Sequence, residues 1–168
     1  DNYGIGKGTF FVVGERLEDK KYFSYAVEAL KRGHVVGNHS YSHKNFSEIS
    51  LDKAIEEIDK AERLINSAYR DAGEINPRLF RFPYGDKGGK NKLQLKTFLG
   101  ARGYELFLWD GDTLDWEYYS RKKSLDSIRE DVKQSENGRI ILVHDMWRKG
   151  KVSTPVEVIK VLDEMGMK

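Results

Sequence analysis

Two imidazoles four residues apart stand in the segment Gly37-Asn38-His39-Ser40-Tyr41-Ser42-His43. If the backbone makes a helical turn there, both side chains share a face and one divalent ion can touch both. Ser40 and Tyr41 follow His39, so the pair is not His-Glu-x-x-His and a thermolysin-type protease does not fit. Two surface or capping histidines would carry the same spacing. A second candidate is Arg81-Phe82-Pro83-Tyr84-Gly85. Arg81 sits in an apolar run, where an unpaired guanidinium is costly, so it should meet a carboxylate. Pro83 and Gly85 suggest a turn that presents the backbone N–H of Tyr84, although a strand end with a snorkelling arginine reads the same way.

The stretch Trp109-Asp110-Gly111-Asp112-Thr113-Leu114-Asp115-Trp116 holds three acids and two indoles. It suits a metal loop, an acid/base site or a sugar-stacking platform, but not an EF-hand, whose spacing and later bidentate Glu are missing. Val143-His144-Asp145 puts an imidazole at the tip of an apolar run, well placed for proton transfer near neutral pH or satisfied as a structural histidine. Gly85 to Asn91 fails as a phosphate loop, since Tyr84 stands where Gly is needed and Asn91 where Ser or Thr is needed. No Gly-x-Ser-x-Gly elbow supports a hydrolase serine.

Strands and helices must hold these groups. Thr9 to Val13 reads as a buried strand closed by Gly14, and Phe23, Ala26, Val27 and Leu30 as a helix stopped by Gly33. His34 to Val36 is a short strand ended by Gly37-Asn38. A long helix begins near Ser50 with Leu51, Ala54, Ile55, Ile58, Ala61, Ile65 and Ala68 inward, and Asp52, Lys53, Glu56, Glu57 and Lys60 on a solvated face. Arg78 to Phe82 is a strand stopped by Pro83. A helix over Asn91–Leu99 and a strand over Tyr104–Trp109 follow. Ser124 caps a helix with Leu125, Ile128 and Val132 inward, and Arg139 to Val143 is the most apolar strand. Thr154-Pro155 opens a last helix with Val156, Ile159 and Leu162 as its buried stripe. Apolar strands alternating with helices imply an α/β chain with a covered parallel sheet. In either a β/α barrel or an open sheet, functional groups sit after the carboxyl ends of strands, where all four candidates fall.

Composition narrows the chemistry. The 168 residues include 29 Lys and Arg, 27 Asp and Glu, 4 His and no Cys. Without cysteine there are no thiolate metal sites, Fe–S clusters, Cys nucleophiles or disulfides, so metal chemistry must use His and carboxylates. A net charge of +2 does not suggest nucleic acid. Apolar runs of about six residues are too short to insert into a membrane. Asp1-Asn2-Tyr3-Gly4 does not look like a secretory signal.

Taken in order, the segments resemble the polysaccharide deacetylase family, the NodB-homology domains of carbohydrate esterase family 4. Gly8-Thr9-Phe10-Phe11-Val12-Val13-Gly14 is similar to the family's Ala-Thr-Phe-Phe-Val-x-Gly strand. His39 to His43 fits its His-Ser/Thr-x-x-His motif, Arg81 to Tyr84 its Arg-x-Pro-Tyr, Asp112 to Trp116 its Asp-x-x-Asp-Trp, and Leu142 to His144 its Leu-x-His. The resemblance implies a distorted (β/α)7-type barrel, incomplete here because five strands are read where seven or eight are needed. It implies removal of acetyl groups from an N- or O-acetylated polysaccharide, whether peptidoglycan, a chitin-type glycan or acetylxylan. It implies a divalent metal, most often zinc, with cobalt or nickel possible, held by His39 and His43. His144 would be the general acid with Asp115 holding its imidazole, Arg81 would orient the catalytic base, and the Tyr84 N–H would bind the oxyanion. Trp116 and Leu142 would wall the pocket for the acetyl methyl, and Tyr41, Trp109 and Trp147 could stack on sugar rings.

The family's Thr-Phe-Asp-Asp-Gly motif, source of the base and the carboxylate ligand, belongs upstream of residue 9 and is not in this chain. The expectation is therefore one catalytic domain over 1–168, cut at both ends. The alternatives are a non-catalytic carbohydrate-binding domain on the same fold, or a partner piece supplying the missing strand. The family's usual location is extracellular or at the cell wall.

Overall fold

The computed structural model describes residues 6–85, 88–119, 124–134, 140–145 and 153–166. Two compact units are present, one spanning Lys7–Phe107 and one from Leu108 onward. In the first, β1 (Thr9–Val12), β2 (Val35–Asn38), β3 (Leu79–Phe80) and β4 (Glu105–Leu106) form a parallel sheet in sequence order. Phe10 pairs with Val36, Asn38 with Phe80 and Leu79 with Glu105. Parallel neighbours need long crossovers, and each crossover here carries a helix: α1 (Lys20–Lys31), α2 (Leu51–Ala72) and α3 (Lys92–Ala101).

Local chemistry sets the helix ends. Asp19 accepts from the Lys21 amide at 2.7 Å to cap α1, and Ser50 Oγ accepts from the Lys53 amide at 3.3 Å to cap α2. α2 stops at Gly73, whose left-handed φ of 77° suits a residue without Cβ. Its inner face serves two clusters. Ala61, Ile65 and Ala68 pack with Leu17, Leu30 and Val36, while Ala54 and Ile58 pack with Phe46, Phe80, Phe82, Leu95 and Leu99. The alanines let the chain after β1 come close: a Cβ on Gly14 would lie 2.8 Å from the Ala61 Cα.

In the second unit, β5 (Gly111–Asp112) pairs in parallel with β6 (Ile141–Leu142). Helices α4 (Asp115–Tyr119), α5 (Leu125–Lys133) and α6 (Thr154–Glu164) complete the described part. Ile128 and Val132 of α5 pack against Val158 and Val161 of α6 and against Tyr118. Ser124 caps α5 as expected, its Oγ accepting from the Ser127 amide at 3.1 Å.

The α/β character, the parallel pairing and the helix positions agree with the sequence, but several details differ. β2 runs through Gly37 and Asn38 instead of ending before them. Asn38 tolerates burial because its amide donates to the Ile58 carbonyl and its Oδ1 accepts from the Ser40 amide. β3, β4 and β6 are two residues each, shorter than the apolar runs containing them. After β3 the chain enters the 3-10 turn Pro83–Gly85, and β4, last in the order of its sheet, leaves Leu106 exposed. β5 and α4 were not expected. Glu57 is buried, not solvated. On α6 the inward residues are Thr154, Glu157, Val158 and Val161, while Val156 is exposed. The helix can turn an acid inward because Arg129 and Lys160 reach the Glu157 carboxylate at 3.1 and 2.6 Å. The expected strand start at Arg139, Trp147 and the Asp86-Lys87 pair lie outside the described residues. Among the described residues no helix is long and apolar enough to cross a membrane.

Candidate active site

The loop after β2 brings His39 and His43 together, with ring centroids 4.9 Å apart and an edge-to-face arrangement. The backbone makes no helical turn between them. Ser40 and His43 adopt left-handed backbone, with φ of 66° and 58°, and fold the five residues back on themselves. Hydrogen bonds hold this shape: Ser40 donates its amide to Asn38 Oδ1 at 2.9 Å, and its buried hydroxyl accepts from the His43 amide at 3.0 Å. The Gly14 and Glu15 amides donate to the Ser40 and Tyr41 carbonyls, both at 2.9 Å, tying the loop to the end of β1.

His39 has a defined orientation. Its Nδ1 lies 2.7 Å from the Arg81 carbonyl oxygen. A carbonyl only accepts, so Nδ1 carries the proton and the lone pair of the neutral ring is on Nε2. This is the usual way in which a backbone carbonyl aims a metal-binding imidazole. Among the described residues, however, no group of three His, Cys, Asp or Glu forms a cluster able to hold a metal.

Arg81 contributes more than its carbonyl. Its Nε donates to the Phe107 carbonyl at 3.4 Å and its guanidinium lies over the Phe11 ring at 4.2 Å. Burial lowers its pKa from the ordinary arginine value. Tyr84, in the turn that follows, also has left-handed backbone (φ 58°). Its exposed ring lies 4.7 Å from that of His43. Together these two residues line a cleft of about 520 Å³ with Lys44, Asn45, Glu48 and Ile49. Tyr41 is less available to a sugar than expected, since the Lys60 ammonium covers one face of its ring at 3.5 Å.

In the second unit, Asp115 opens α4 and is completely buried. Its Oδ1 lies 2.7 Å from His144 Nδ1, and its Oδ2 accepts from the His144 amide at 2.8 Å and the Thr154 hydroxyl at 2.7 Å. Burial opposes ionisation, but the hydrogen bonds from His144 and Thr154 outweigh it and hold the carboxyl below its usual pKa. His144, just past β6, keeps its side chain 38% exposed. Trp116 follows Asp115 on α4 and is exposed, whereas Leu142 is buried in β6 and its carbonyl accepts from the Thr113 hydroxyl at 2.9 Å.

Two residues that the sequence reading did not assign to the site emerge here. Glu57 accepts from the amide and hydroxyl of Ser42, inside the histidine loop, at 2.7 Å each. Its position was available from spacing, since it lies three after Ala54 and four before Ala61 on the inward face of α2. Thr154 touches Asp115, but its place before Pro155 marks only a helix start.

The polysaccharide deacetylase family model matches residues 1–104. The chain is 33% identical over 163 residues to the peptidoglycan-N-acetylmuramic acid deacetylase PdaC of Bacillus subtilis, covering 96% of this chain and 31% of that protein. A solved structure of that protein superposes with a TM-score of 0.76 at 29% identity, covering 99% of this chain and 74% of the structure. A peptidoglycan-N-acetylglucosamine deacetylase of Bacillus cereus is 34% identical over 139 residues, covering 82% of this chain and 46% of that protein. The family 4 carbohydrate esterase from Streptomyces lividans, solved with acetate, superposes with a TM-score of 0.73 at 26% identity, over 96% of this chain and 77% of that one. The chain thus has the α/β fold of these esterases and spans less than half of either curated relative.

Proposed function

The chain belongs to the polysaccharide deacetylase family, and from this we propose that it removes acetyl groups from an acetylated glycan, with peptidoglycan as the substrate class. The observation that carries the reading is the pair formed by buried Asp115 and half-exposed His144, joined at 2.7 Å. A carboxylate bonded to Nδ1 of a histidine stabilises the imidazolium and leaves Nε2 to give its proton to a leaving group. The leaving nitrogen of an acetamido sugar needs such a donor. The choice of peptidoglycan over chitin or acetylxylan is supported by the two curated relatives, both named as peptidoglycan deacetylases.

His39 and His43 fit a divalent ion through the chemistry of their donors. Two imidazoles lie side by side, and the His39 lone pair is fixed on Nε2 by the Arg81 carbonyl. Nitrogen donors of this kind suit zinc, and also cobalt or nickel. When bound, such an ion supplies Lewis acidity toward an acetyl carbonyl and lowers the pKa of water. The remaining roles belong to the chain itself. The Tyr84 N–H donates to the developing oxyanion, a kind of contact worth about 3 kcal/mol in other hydrolases. Arg81 orients the catalytic base, and Trp116 and Leu142 enclose the acetyl methyl. We place the activity outside the cytoplasm, at the cell wall where that substrate lies.

The test is release of acetate from peptidoglycan, N-acetylated chitooligosaccharide and acetylxylan, with zinc or cobalt, by the full-length protein. Release from peptidoglycan is expected. No release from any of the three, with metal bound, would sink the proposal.

A further inference from the structure

Thr154 is wholly buried at the first position of α6, and its hydroxyl reaches two groups of the Asp115–His144 pair. The Asp115 Oδ2 lies 2.7 Å away and the His144 carbonyl oxygen 3.3 Å away. A hydroxyl has one proton to give. The shorter contact goes to the charged acceptor, so the proton belongs to Asp115. Among the described residues Asp115 then has these donors: Oδ1 takes the His144 Nδ1–H, and Oδ2 takes the His144 amide and the Thr154 hydroxyl.

We propose that Thr154 is a positioning residue of the proton-donating pair, acting on His144 through Asp115. The inference rests on the reading that His144 is the proton donor. Three elements meet at this carboxylate: the start of α4 through Asp115, the end of β6 through His144, and the start of α6 through Thr154. The donors on Oδ2 fix the plane of the carboxylate, and with it the direction in which Oδ1 receives the imidazole. The α6 N-terminus adds a favourable dipole on the same side. Nδ1 is thereby held as the protonated nitrogen, and Nε2 is left as the ring nitrogen that Asp115 does not engage. Without the Thr154 hydroxyl, Oδ2 keeps only the His144 amide among the described residues. A buried carboxylate held by one fewer donor is free to rotate or to take up a proton, and either change unfixes the ring.

The methyl group of Thr154 is also buried, so a packing role must be separated from a hydroxyl role. Thr154→Ser keeps the hydroxyl and removes the methyl. Thr154→Val keeps the shape and removes the hydroxyl, and Thr154→Ala removes both. The readout is the His144 ring in 1H and 15N spectra of histidine-labelled protein, assigned by its loss in His144→Gln, beside kcat and KM for acetate release. Thr154→Ser is expected to retain the downfield Nδ1–H resonance and kcat. Thr154→Val is expected to lose the resonance to exchange, with kcat falling roughly ten- to hundredfold and KM changing less than about twofold. The proposal is overturned if Thr154→Val keeps the resonance and kcat, or if Thr154→Ser loses them. It is equally overturned if Thr154→Val and Thr154→Ala both unfold while Thr154→Ser is native, since the hydroxyl would then serve the fold. If the unaltered protein releases no acetate from any glycan, the deacetylase reading fails by itself, and the ring resonance still decides what Thr154 does.

Discussion

The carboxylate of Glu57 accepts both the backbone N–H and the hydroxyl of Ser42, at 2.7 Å each, across fifteen residues of chain. One buried acid on α2 thus holds the middle of the loop that carries His39 and His43. The Lys44 ammonium stands 3.9 Å from the same carboxylate, and Glu57 is 6% exposed in its side chain.

Removing that acid should loosen the loop more than the fold. Glu57→Ala leaves the Ser42 amide and hydroxyl without their acceptor, at a cost of about 2–4 kcal/mol by loss of two charge-assisted bonds. Urea unfolding should show this decrease, and zinc retention in equilibrium dialysis should weaken as the histidine loop loses its anchor. Glu57→Gln keeps one oxygen and turns an N–H toward a donor, so its loss should be smaller. Unchanged stability and unchanged zinc retention in Glu57→Ala would contradict the anchoring role.

Metal retention should separate the histidines by role. His39→Ala and His43→Ala are expected to lower zinc affinity at least about tenfold, because each removes a nitrogen donor. His144→Ala should keep zinc within about twofold, as its Nδ1 is committed to Asp115. Its acetate release should nonetheless collapse. Equal zinc content in all three variants would refute the assignment.

How far the sequence foretold these features depends on how far each is written in local pattern. The 22-residue α2 was legible, with its start near Ser50, because its apolar face repeats over six turns, while its stop at Gly73 was not read. β4 and β6 were overread: an apolar run says that residues are buried or paired somewhere, not how many find a ladder partner. The four site segments were legible by residue type and by their place after strands. The geometry uniting His39 with His43 was not, since it depends on left-handed backbone at Ser40 and His43, where no glycine announces the turn. Thr154 was hidden for another reason. Its role depends on Asp115, 39 residues away in sequence.

Tyr69 tests the packing of α2 on the sheet. Its hydroxyl accepts from the Val36 N–H at 3.1 Å and donates to the Val36 carbonyl at 3.0 Å. Tyr69→Phe leaves both buried backbone groups unpaired and should lower stability by about 2–4 kcal/mol at pH 7. Burial raises the phenol pKa above its ordinary value of 10.0. The folded chain therefore holds the proton more tightly than the unfolded chain. This part of the stability is complete below about pH 10 and is lost as pH rises through the folded-state value. Urea midpoints of the two proteins should converge above pH 10, and a constant gap up to pH 11.5 would refute the account.

Asp115 has the opposite sign. Hydrogen bonds from His144 and Thr154 hold its pKa below the usual aspartate value despite burial. In the interval between the folded and unfolded values the unfolded chain binds more protons, so stability rises with pH across it. The contribution is complete above about pH 4–5 and disappears as pH falls through the folded-state value. Asp115→Asn keeps an oxygen for one donor but turns an N–H toward another. It should therefore be less stable than the unaltered protein at pH 6, with the difference shrinking as pH is taken from 5 down to 2.5. Urea midpoints across that range give the comparison. A difference independent of pH would mean that Asp115 is not held ionised by its partners, and the proton-donating pair would lose its physical basis.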